Sequence, residues 1–253
     1  MLHYVTYNAA KNPCPLIVAH GLFGSSRNWS QIAKQLSDIR EVIVVDMRNH
    51  GQSPWSTSHS YEDMADDLAE IIELHGESTD LIGHSMGGKA AMVLSLRYPH
   101  LVRRLLVADI APVTYGHDHS LLIAAMRSVE LSHVSKRSDA TLQLAAQGIE
   151  IGVQNFLCQS LDVAQKAWQL NLAALESNMG KILSFPEISR QWHGSVLFLS
   201  GGASDYVRPE YRPRIRNLFP RAQFAKLRHA GHWLHAEDPK GFEQTARMFL
   251  QGE

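Results

Sequence analysis

The feature that most constrains the fold is an alternation of short apolar runs with longer segments of helical period. The runs are rich in valine, isoleucine and leucine and are apolar almost throughout, which is typical of parallel strands buried on both faces. The pattern therefore predicts an α/β fold with a mostly parallel central sheet flanked by helices. We expect strands at Pro15–Ala19, Glu41–Asp46, Asp80–Gly83, Leu105–Asp109 and Val196–Ser200, with a weaker last strand at Gln223–Leu227.

Three segments between or after these runs have helical patterns. From Tyr61 to Ile72, apolar residues follow one helical face and acidic residues occupy the other. Met86–Arg97 is expected to form a helix that ends before Pro99, because the residue before a proline avoids helical geometry. Lys240–Leu250 is the expected last helix.

Residues 112–192 interrupt the alternation. They contain several helical patterns and no convincing strand pattern. A compact domain does not accommodate a structureless loop of this length. We therefore predict a helical cap at 112–192, inserted after the Leu105–Asp109 strand, and an α/β core formed by residues 1–111 and 193–253. The helical patterns are at Leu121–Leu131, Ala140–Ile149, Val153–Leu161 and Ala164–Leu175.

The composition excludes several classes of function. The 253 residues include 24 Lys and Arg against 25 Asp and Glu, so a nucleic-acid partner is not expected. No apolar run approaches the roughly 18 residues that span a bilayer, and the N-terminus lacks a signal-peptide pattern. Cys14 and Cys158 have neither zinc-ligand nor disulfide-framework spacing, which fits a reducing compartment. We expect a cytoplasmic protein with no membrane span.

Histidine is unusually frequent, with 14 residues in a chain whose net charge is −1. Histidine titrates near physiological pH, binds metals and transfers protons. The surplus therefore suggests three hypotheses, which are a metal centre, a pH switch, or catalysis by one histidine with the others incidental. The surroundings of the individual histidines must distinguish them.

Ser85 occupies the strongest chemical motif. It is the centre of Gly83-His84-Ser85-Met86-Gly87, a G-x-S-x-G sequence between a predicted strand and a predicted helix. The glycines permit a tight turn that lifts the serine hydroxyl clear of the sheet edge. Free N–H groups at the start of the following helix favour negative charge there. This context predicts that Ser85 is a nucleophile.

A serine nucleophile needs a base, and His232 is the best candidate. It follows Gly231 in the loop between the last predicted strand and the last predicted helix. A zinc site is the alternative, because His229, His232 and His235 recur every three residues. The glycine favours a loop over a helix, and neither an H-E-x-x-H motif nor a cysteine accompanies the histidines. We predict a catalytic base at His232 and no metal.

Donors for a developing oxyanion are expected near the first buried strand. His20-Gly21-Leu22 begins a glycine-rich turn there, and its glycines leave backbone N–H groups free to point inward. The backbone amides of Leu22 and Met86 are the candidates for the oxyanion hole. An ordinary glycine turn is the alternative interpretation of this motif.

The order of the motifs H-G, G-x-S-x-G and G-H resembles that of the α/β-hydrolase superfamily across nearly the full chain. Within it, the chain resembles the YbfF-type bacterial serine esterases. This resemblance implies an esterase or thioesterase that acts on small to medium ester or thioester substrates through an acyl-enzyme on Ser85, without a cofactor. The predicted cap then follows the sixth strand of the fold, assigned to Leu105–Asp109. The resemblance rests on Asp46-Met47-Arg48-Asn49-His50-Gly51-Gln52-Ser53-Pro54, Gly83-His84-Ser85-Met86-Gly87-Gly88-Lys89 and Asp109-Ile110-Ala111-Pro112-Val113.

The acid that orients the histidine has two candidates. The superfamily pattern G-x-x-D-x-x-V/P fits the segment after Val196–Ser200 in two registers, which point to Ser204 and to Asp205. The YbfF-type resemblance implies Asp109 instead, and a carboxylate that ends an apolar strand needs a partner. Asp109 is favoured, with Asp205 as the alternative acid.

Two other functions are compatible with the motifs. A C–C bond hydrolase or lyase of the same fold would need Ser85 and His232 equally, and activity on a plain aryl ester would favour the esterase. A ligand-binding homologue that has lost catalysis belongs to a different class. The complete set of serine, histidine, acid and oxyanion loop argues against it. The oligomeric state, the leaving group and the acyl length do not follow from the sequence.

Overall fold

The computed structural model describes residues 1–7, 14–38, 40–116 and 119–252. Nine strands lie in these ranges: β1 (Tyr4–Tyr7), β2 (Leu16–Ala19), β3 (Val42–Val45), β4 (Thr79–His84), β5 (Val102–Ala108), β6 (Leu161–Asp162), β7 (Ala167–Trp168), β8 (Ser195–Gly201) and β9 (Ala222–Leu227). Strands β6 and β7 form a separate ribbon, and the other seven form one sheet in the order β1-β3-β2-β4-β5-β8-β9. All neighbours in this sheet are parallel except the antiparallel pair β1 and β3.

Helices connect these strands. The α-helices of the described ranges are α1 (Ser30–Leu36), α2 (Tyr61–His75), α3 (Met86–Arg97), α4 (Ser120–Arg127), α5 (Arg137–Ala145), α6 (Ile151–Leu157), α7 (Leu172–Ser177), α8 (Met179–Leu183), α9 (Arg212–Leu218), α10 (Leu234–Glu237) and α11 (Pro239–Gln251). Short 3-10 turns lie at Ser26–Trp29, Pro99–Leu101, Leu131–His133, Cys158–Ser160 and Pro209–Tyr211. Every helix in the described part of the chain is too short or too polar to cross a bilayer.

The core lies on both faces of the sheet, because successive side chains of a strand point to opposite sides. On one face, Ile17, Ile43 and Leu81 pack in the same cluster as residues of α2 and α3. On the other face, Val18 and Val44 share a cluster with residues of α1 and α11. All five side chains are fully buried, so the prediction of parallel strands covered on both faces is confirmed.

The register of the parallel strands brings their carboxyl ends to one edge of the sheet. Ala19 at the end of β2 pairs with Gly83 near the end of β4, and Gly83 pairs with Val107 near the end of β5. Ala108 pairs in turn with Leu199 of β8. Residues that follow these strands therefore meet at this edge, which is where ligands bind in open α/β sheets.

Between β5 and β8, the residues that the structure describes form helices α4 to α8 and the β6–β7 ribbon. Their apolar side chains form a third cluster together with Phe23, and the fully buried members include Ile123, Met126, Leu144, Leu157 and Leu175. We call this set the cap cluster and residues 112–192 the cap region. A separate cluster of this kind is typical of an inserted helical layer.

Strand β1 is the first difference from the sequence-based expectation, in which no strand was predicted before Pro15. It joins the sheet as an antiparallel edge beside β3. Leu105–Asp109, the sixth strand in the numbering of the resembled fold, is β5 when the described strands are counted. Strand β1 has only four residues, and none of them is fully buried, so it lacks the apolar run that marks the other strands.

The β6–β7 ribbon is the second difference. A helix was expected over Ala164–Leu175, but helical geometry begins only at Leu172. The carboxylate of Asp162 accepts the backbone N–H of Gln165 at 2.9 Å, and Lys166 adopts a left-handed φ of +48°. Asp at the start of a turn stabilises it in this way, so the chain reverses where the helical pattern predicted continuity.

Candidate active site

Ser85 lies on a sharp turn between β4 and α3. Its φ of +52° and ψ of −118° are unfavourable for a residue that carries a Cβ atom. A Cβ on Gly83 would lie 2.5 Å from the carbonyl oxygen of Gly87, and one on Gly87 would lie 2.4 Å from that of Ala19. Only glycine fits at either place. The two outer glycines of the motif thus allow the turn to pack tightly on the sheet edge.

His232 lies between Ser85 and Asp109 within hydrogen-bonding distance of both. Its Nε2 is 3.1 Å from Ser85 Oγ, and its Nδ1 is 2.7 Å from Asp109 Oδ2. Because a carboxylate accepts, Nδ1 carries the hydrogen and Nε2 is left to accept the serine hydroxyl. A serine, a histidine and an acid connected in this order are able to activate the serine as a nucleophile.

Asp109 is the carboxylate that contacts the histidine. Its side chain is fully buried, and it also accepts the backbone N–H of Gly201 at 3.0 Å and the hydroxyl of Ser204. Asp205 lies on the protein surface. Its side chain is 89% exposed and lies 3.9 Å from the guanidinium of Arg208. The structure thus brings Asp109, and not Asp205, to His232.

The Gly21 loop, defined as Gly21–Gly24, approaches Ser85 from the end of β2. Leu22 and Met86 both border the space next to Ser85. Met86 is the first residue of α3, so its N–H has no partner within the helix. Within the loop, the N–H of Gly24 donates to the carbonyl oxygen of Gly21 at 3.0 Å and closes a tight turn.

A mostly apolar cavity of about 230 Å³ lies in front of Ser85. The cap region contributes Leu122, Val153 and Phe156 to its wall, and the core contributes Trp233 and Tyr206. The Tyr206 ring stacks on the His232 ring with 4.0 Å between centroids. One side of the cavity offers apolar surface to a substrate, and the other side holds the hydrogen-bonded side chains of Ser85 and His232.

The three histidines of the possible zinc motif have separate surroundings. His229 is exposed, whereas His235 is buried and stacks on Trp29 with 4.1 Å between ring centroids. Burial lowers the pKa of His235 to about 3. His232 faces Asp109. In the ranges that the structure describes, no group of three or more His, Cys, Asp or Glu side chains could hold a metal ion.

Several other histidines are buried and uncharged parts of the scaffold. His84 lies under the site with its Nε2 2.9 Å from the carbonyl oxygen of His232, to which it donates. His20 accepts the backbone N–H of Met47 through Nε2 at 2.9 Å. Burial is the largest cause that lowers the pKa of each of these rings, which are His20, His50, His59, His84 and His235.

Lys89 is a buried cation one helical turn after Ser85. Its side chain is 1% exposed, and its Nζ donates to the carbonyl oxygens of Leu183 at 2.9 Å and Ser184 at 2.6 Å. These carbonyls lie at the C-terminal end of α8, where a cation is favourable. Burial lowers the pKa of Lys89 to about 7. Lys89 thus attaches the end of the cap region to α3.

The comparison with known proteins agrees with this geometry. The family model described as "Alpha/beta hydrolase family" matches residues 16–245. The chain belongs to the alpha/beta hydrolase family.

Three known proteins are similar to the chain over most of their length. The chain is 42% identical to the sn-1-specific diacylglycerol lipase ABHD11 of Mus musculus, over 93% of this chain and 80% of the relative. It is 35% identical to Esterase YbfF of Escherichia coli, over 94% of both chains. A solved structure, the marine microorganism esterase, superposes with a TM-score of 0.92 at 37% identity and covers 98% of both chains. The expected resemblance to YbfF-type esterases is confirmed.

The contacts of three residues near the site of this hydrolase were not predicted from its sequence. Ser204 was considered only as a register of the acid motif, and its contact with Asp109 depends on two strands meeting. No sequence pattern marks Tyr206, because its stacking on His232 brings together two segments that are separate in the sequence. Lys89 could have been noticed, because it follows Ser85 by four residues and so shares its helical face.

Proposed function

We propose that this alpha/beta hydrolase cleaves carboxylic esters through an acyl-enzyme on Ser85, with His232 as the base and Asp109 as its orienting acid. The chain is a carboxylic ester hydrolase, as its relatives named esterase and lipase support. The observation that carries the residue assignment is the chain of contacts from Ser85 Oγ to His232 and on to Asp109, at 3.1 and 2.7 Å.

In the first step, Ser85 Oγ attacks the ester carbonyl carbon while His232 Nε2 takes the hydroxyl proton. The carbonyl oxygen becomes an oxyanion, which the backbone N–H groups of Leu22 and Met86 stabilise. His232 then gives its proton to the leaving alcohol, and the acyl group remains on Ser85. Asp109 stabilises the imidazolium that forms between the two transfers.

In the second step, water attacks the acyl carbon. His232 takes a proton from this water and returns it to Ser85 Oγ as the carboxylic acid leaves. The products are one acid and one alcohol, or a thiol when the substrate is a thioester. Water is the only co-substrate, and the step requires no cofactor.

The proposed substrates have small to medium acyl groups. A cavity of about 230 Å³ is small beside typical ligand pockets of roughly 300–1,000 Å³, and its wall is mostly apolar. Leu122, Val153 and Phe156 contribute to this wall. We therefore propose that residues 112–192 act as a cap that sets acyl length, over a core of residues 1–111 and 193–253.

A substrate panel tests the proposal. Aryl esters and acyl-CoA thioesters of graded chain length would be hydrolysed by the wild-type protein and by Ser85→Ala. We expect turnover to decline beyond medium chain lengths and to be lost in Ser85→Ala. Turnover of a C–C substrate without any ester hydrolysis would instead support the C–C hydrolase. Equal ester turnover by Ser85→Ala would refute the nucleophile assignment.

A further inference from the structure

His50 connects the Gly21 loop to the cap region. Its ring is fully buried, and its Nε2 lies 3.1 Å from the backbone nitrogen of Phe23. Its Nδ1 lies 2.9 Å from the carbonyl oxygen of Arg48. Because a carbonyl only accepts, Nδ1 carries the hydrogen and Nε2 presents its lone pair to the Phe23 N–H. His50 is therefore a neutral acceptor for one amide of the Gly21 loop.

The amide that His50 accepts belongs to a residue with an unfavourable backbone. Phe23 has a φ of +63°, which a side chain with a Cβ atom rarely adopts. The peptide between Leu22 and Phe23 directly follows the N–H group of Leu22. A bond that fixes this peptide therefore also restricts the direction of the Leu22 donor. The Phe23 side chain, 4% exposed, belongs to the cap cluster and ties the same residue to the cap region.

The backbone around His50 pairs with the cap region. His50 and Leu170 form an antiparallel bridge. The N–H of Asn171 donates to the carbonyl oxygen of Asn49 at 3.0 Å, and the side-chain amide of Asn171 donates to Asn49 Oδ1 at 3.0 Å. Leu170 and Asn171 of the cap region thus pair with the backbone at His50, whose ring accepts the Phe23 N–H of the Gly21 loop.

We infer that His50 is a positioning residue that couples the docking of the cap region to the geometry of the oxyanion donors. When Leu170 and Asn171 are paired with Asn49 and His50, the imidazole accepts the Phe23 N–H and the Leu22 amide keeps its orientation. When either contact is lost, the Gly21 loop relaxes toward a less strained backbone. This inference rests on the proposed roles of Ser85 and Leu22.

A matched pair of variants separates hydrogen bonding from packing. His50→Gln and His50→Met have unbranched side chains of similar length, but only glutamine offers a strong oxygen acceptor to the Phe23 N–H, because a thioether sulfur accepts weakly. We expect His50→Met to lower kcat for an aryl ester by about tenfold to a hundredfold with KM changed by less than about threefold. His50→Gln is expected to recover most of kcat. The affinity for phenylboronic acid, whose adduct with Ser85 places an oxygen at the oxyanion position, should fall in parallel with kcat.

A cap-side variant tests the coupling. Asn171→Asp keeps a side-chain oxygen that can accept the Ala174 N–H at the start of α7, as the amide oxygen of Asn171 does, and removes the amide donor to Asn49 Oδ1 and to the carbonyl oxygen of Ser56. We expect a lower kcat, and we expect the His50→Met/Asn171→Asp double variant to lose less than the product of the two single losses. This variant also keeps the inference testable if His50→Met does not fold.

Three results would overturn the inference: an unchanged kcat in His50→Met or in Asn171→Asp, equal losses in His50→Met and His50→Gln, or multiplicative losses in the double variant. Ser85→Ala, measured in the same assay, keeps the two proposals apart. Activity retained in Ser85→Ala would refute the proposed function, whatever the His50 variants do.

Discussion

The hydroxyl of Ser204 donates to Asp109 Oδ2, the same carboxylate oxygen that lies 2.7 Å from His232 Nδ1. Ser204 occupies one of the two registers at which the superfamily pattern places an acid. The carboxylate that contacts His232 in this chain directly follows β5 instead, and Ser204 donates a hydrogen bond to it. The two loops after β5 and β8 therefore build one carboxylate site together.

Removal of the Ser204 hydroxyl should weaken this site without removing the acid. A hydrogen bond to a charged group contributes about 1.5–3 kcal/mol, and about 1.4 kcal/mol corresponds to a tenfold rate change. We expect Ser204→Ala to lower kcat/KM for an aryl ester about tenfold, and Ser204→Thr, which keeps a hydroxyl, to stay near the wild-type value. Wild-type kinetics in Ser204→Ala would show that the contact does not assist the acid.

Replacement of the acid itself should have a far larger effect. Asp109→Asn leaves the volume unchanged but stops the side chain from stabilising the imidazolium, which in a serine triad costs roughly 10⁴ in kcat. Asp205→Asn is the matched control, because that exposed side chain does not reach His232. Its kcat should stay within about twofold of the wild-type value. A large loss of kcat in Asp205→Asn with little loss in Asp109→Asn would instead identify Asp205 as the acid.

The buried histidines should make the fold sensitive to acid. Burial lowers the pKa of His59 and His235 to about 3, whereas the unfolded chain has ordinary values near 6.5. Between these values the unfolded state binds protons that the folded state does not, so the free energy of unfolding falls as pH falls from about 6.5 toward 3. Urea unfolding at pH 7.5, 6 and 5 measures this slope.

A single variant isolates one contribution to this slope. His235→Phe keeps an aromatic ring against Trp29 and removes one titrating group. We expect the slope of unfolding free energy against pH below 6 to flatten by up to about 1.4 kcal/mol per pH unit. A slope identical to that of the wild-type protein would mean that His235 titrates alike in both states.

Lys89 should have a pH signature of the same sign, but at higher pH. Its pKa is about 7 in the folded protein and near 10.5 when unfolded, so between these values the unfolded state binds the extra proton. Wild-type stability should therefore rise with pH from about 7 to 10 relative to Lys89→Met, which keeps the length of the side chain without its charge. Denaturant unfolding of both proteins at pH 7, 8 and 9 tests this difference. A constant difference across this range would contradict it.

Much of the fold and of the site follows from local sequence patterns. Helix α3 was predicted with its observed bounds, Met86–Arg97, because the G-x-S-x-G turn starts it and Pro99 follows it. Strand β1 and the β6–β7 ribbon were missed, since one is a short, partly exposed edge and the other depends on a turn at Asp162. Short strands are determined by their pairing partners more than by their own residues.

The contacts around the site also divide into those that a local sequence pattern predicts and those that depend on distant parts of the chain. Ser85 and His232 lie in motifs whose glycines mark the turns, so they were identifiable in the sequence. The sequence favoured Asp109 over Asp205 only through the family resemblance, because the carboxylate that contacts His232 depends on how the loops after β5 and β8 meet in space. The pairing of His50 with Leu170 joins segments that lie far apart in the sequence, and no local pattern encodes it.

Reaction with a fluorophosphonate shows whether Ser85 is the nucleophile, because this reagent labels an activated serine. Peptide mass spectrometry would locate the adduct in the wild-type protein and in Ser85→Ala, with ester hydrolysis measured on the same samples. We expect one adduct per chain, on Ser85, with activity lost in proportion to labelling and no adduct in the variant. Full esterase activity in protein whose Ser85 is labelled or replaced would contradict it.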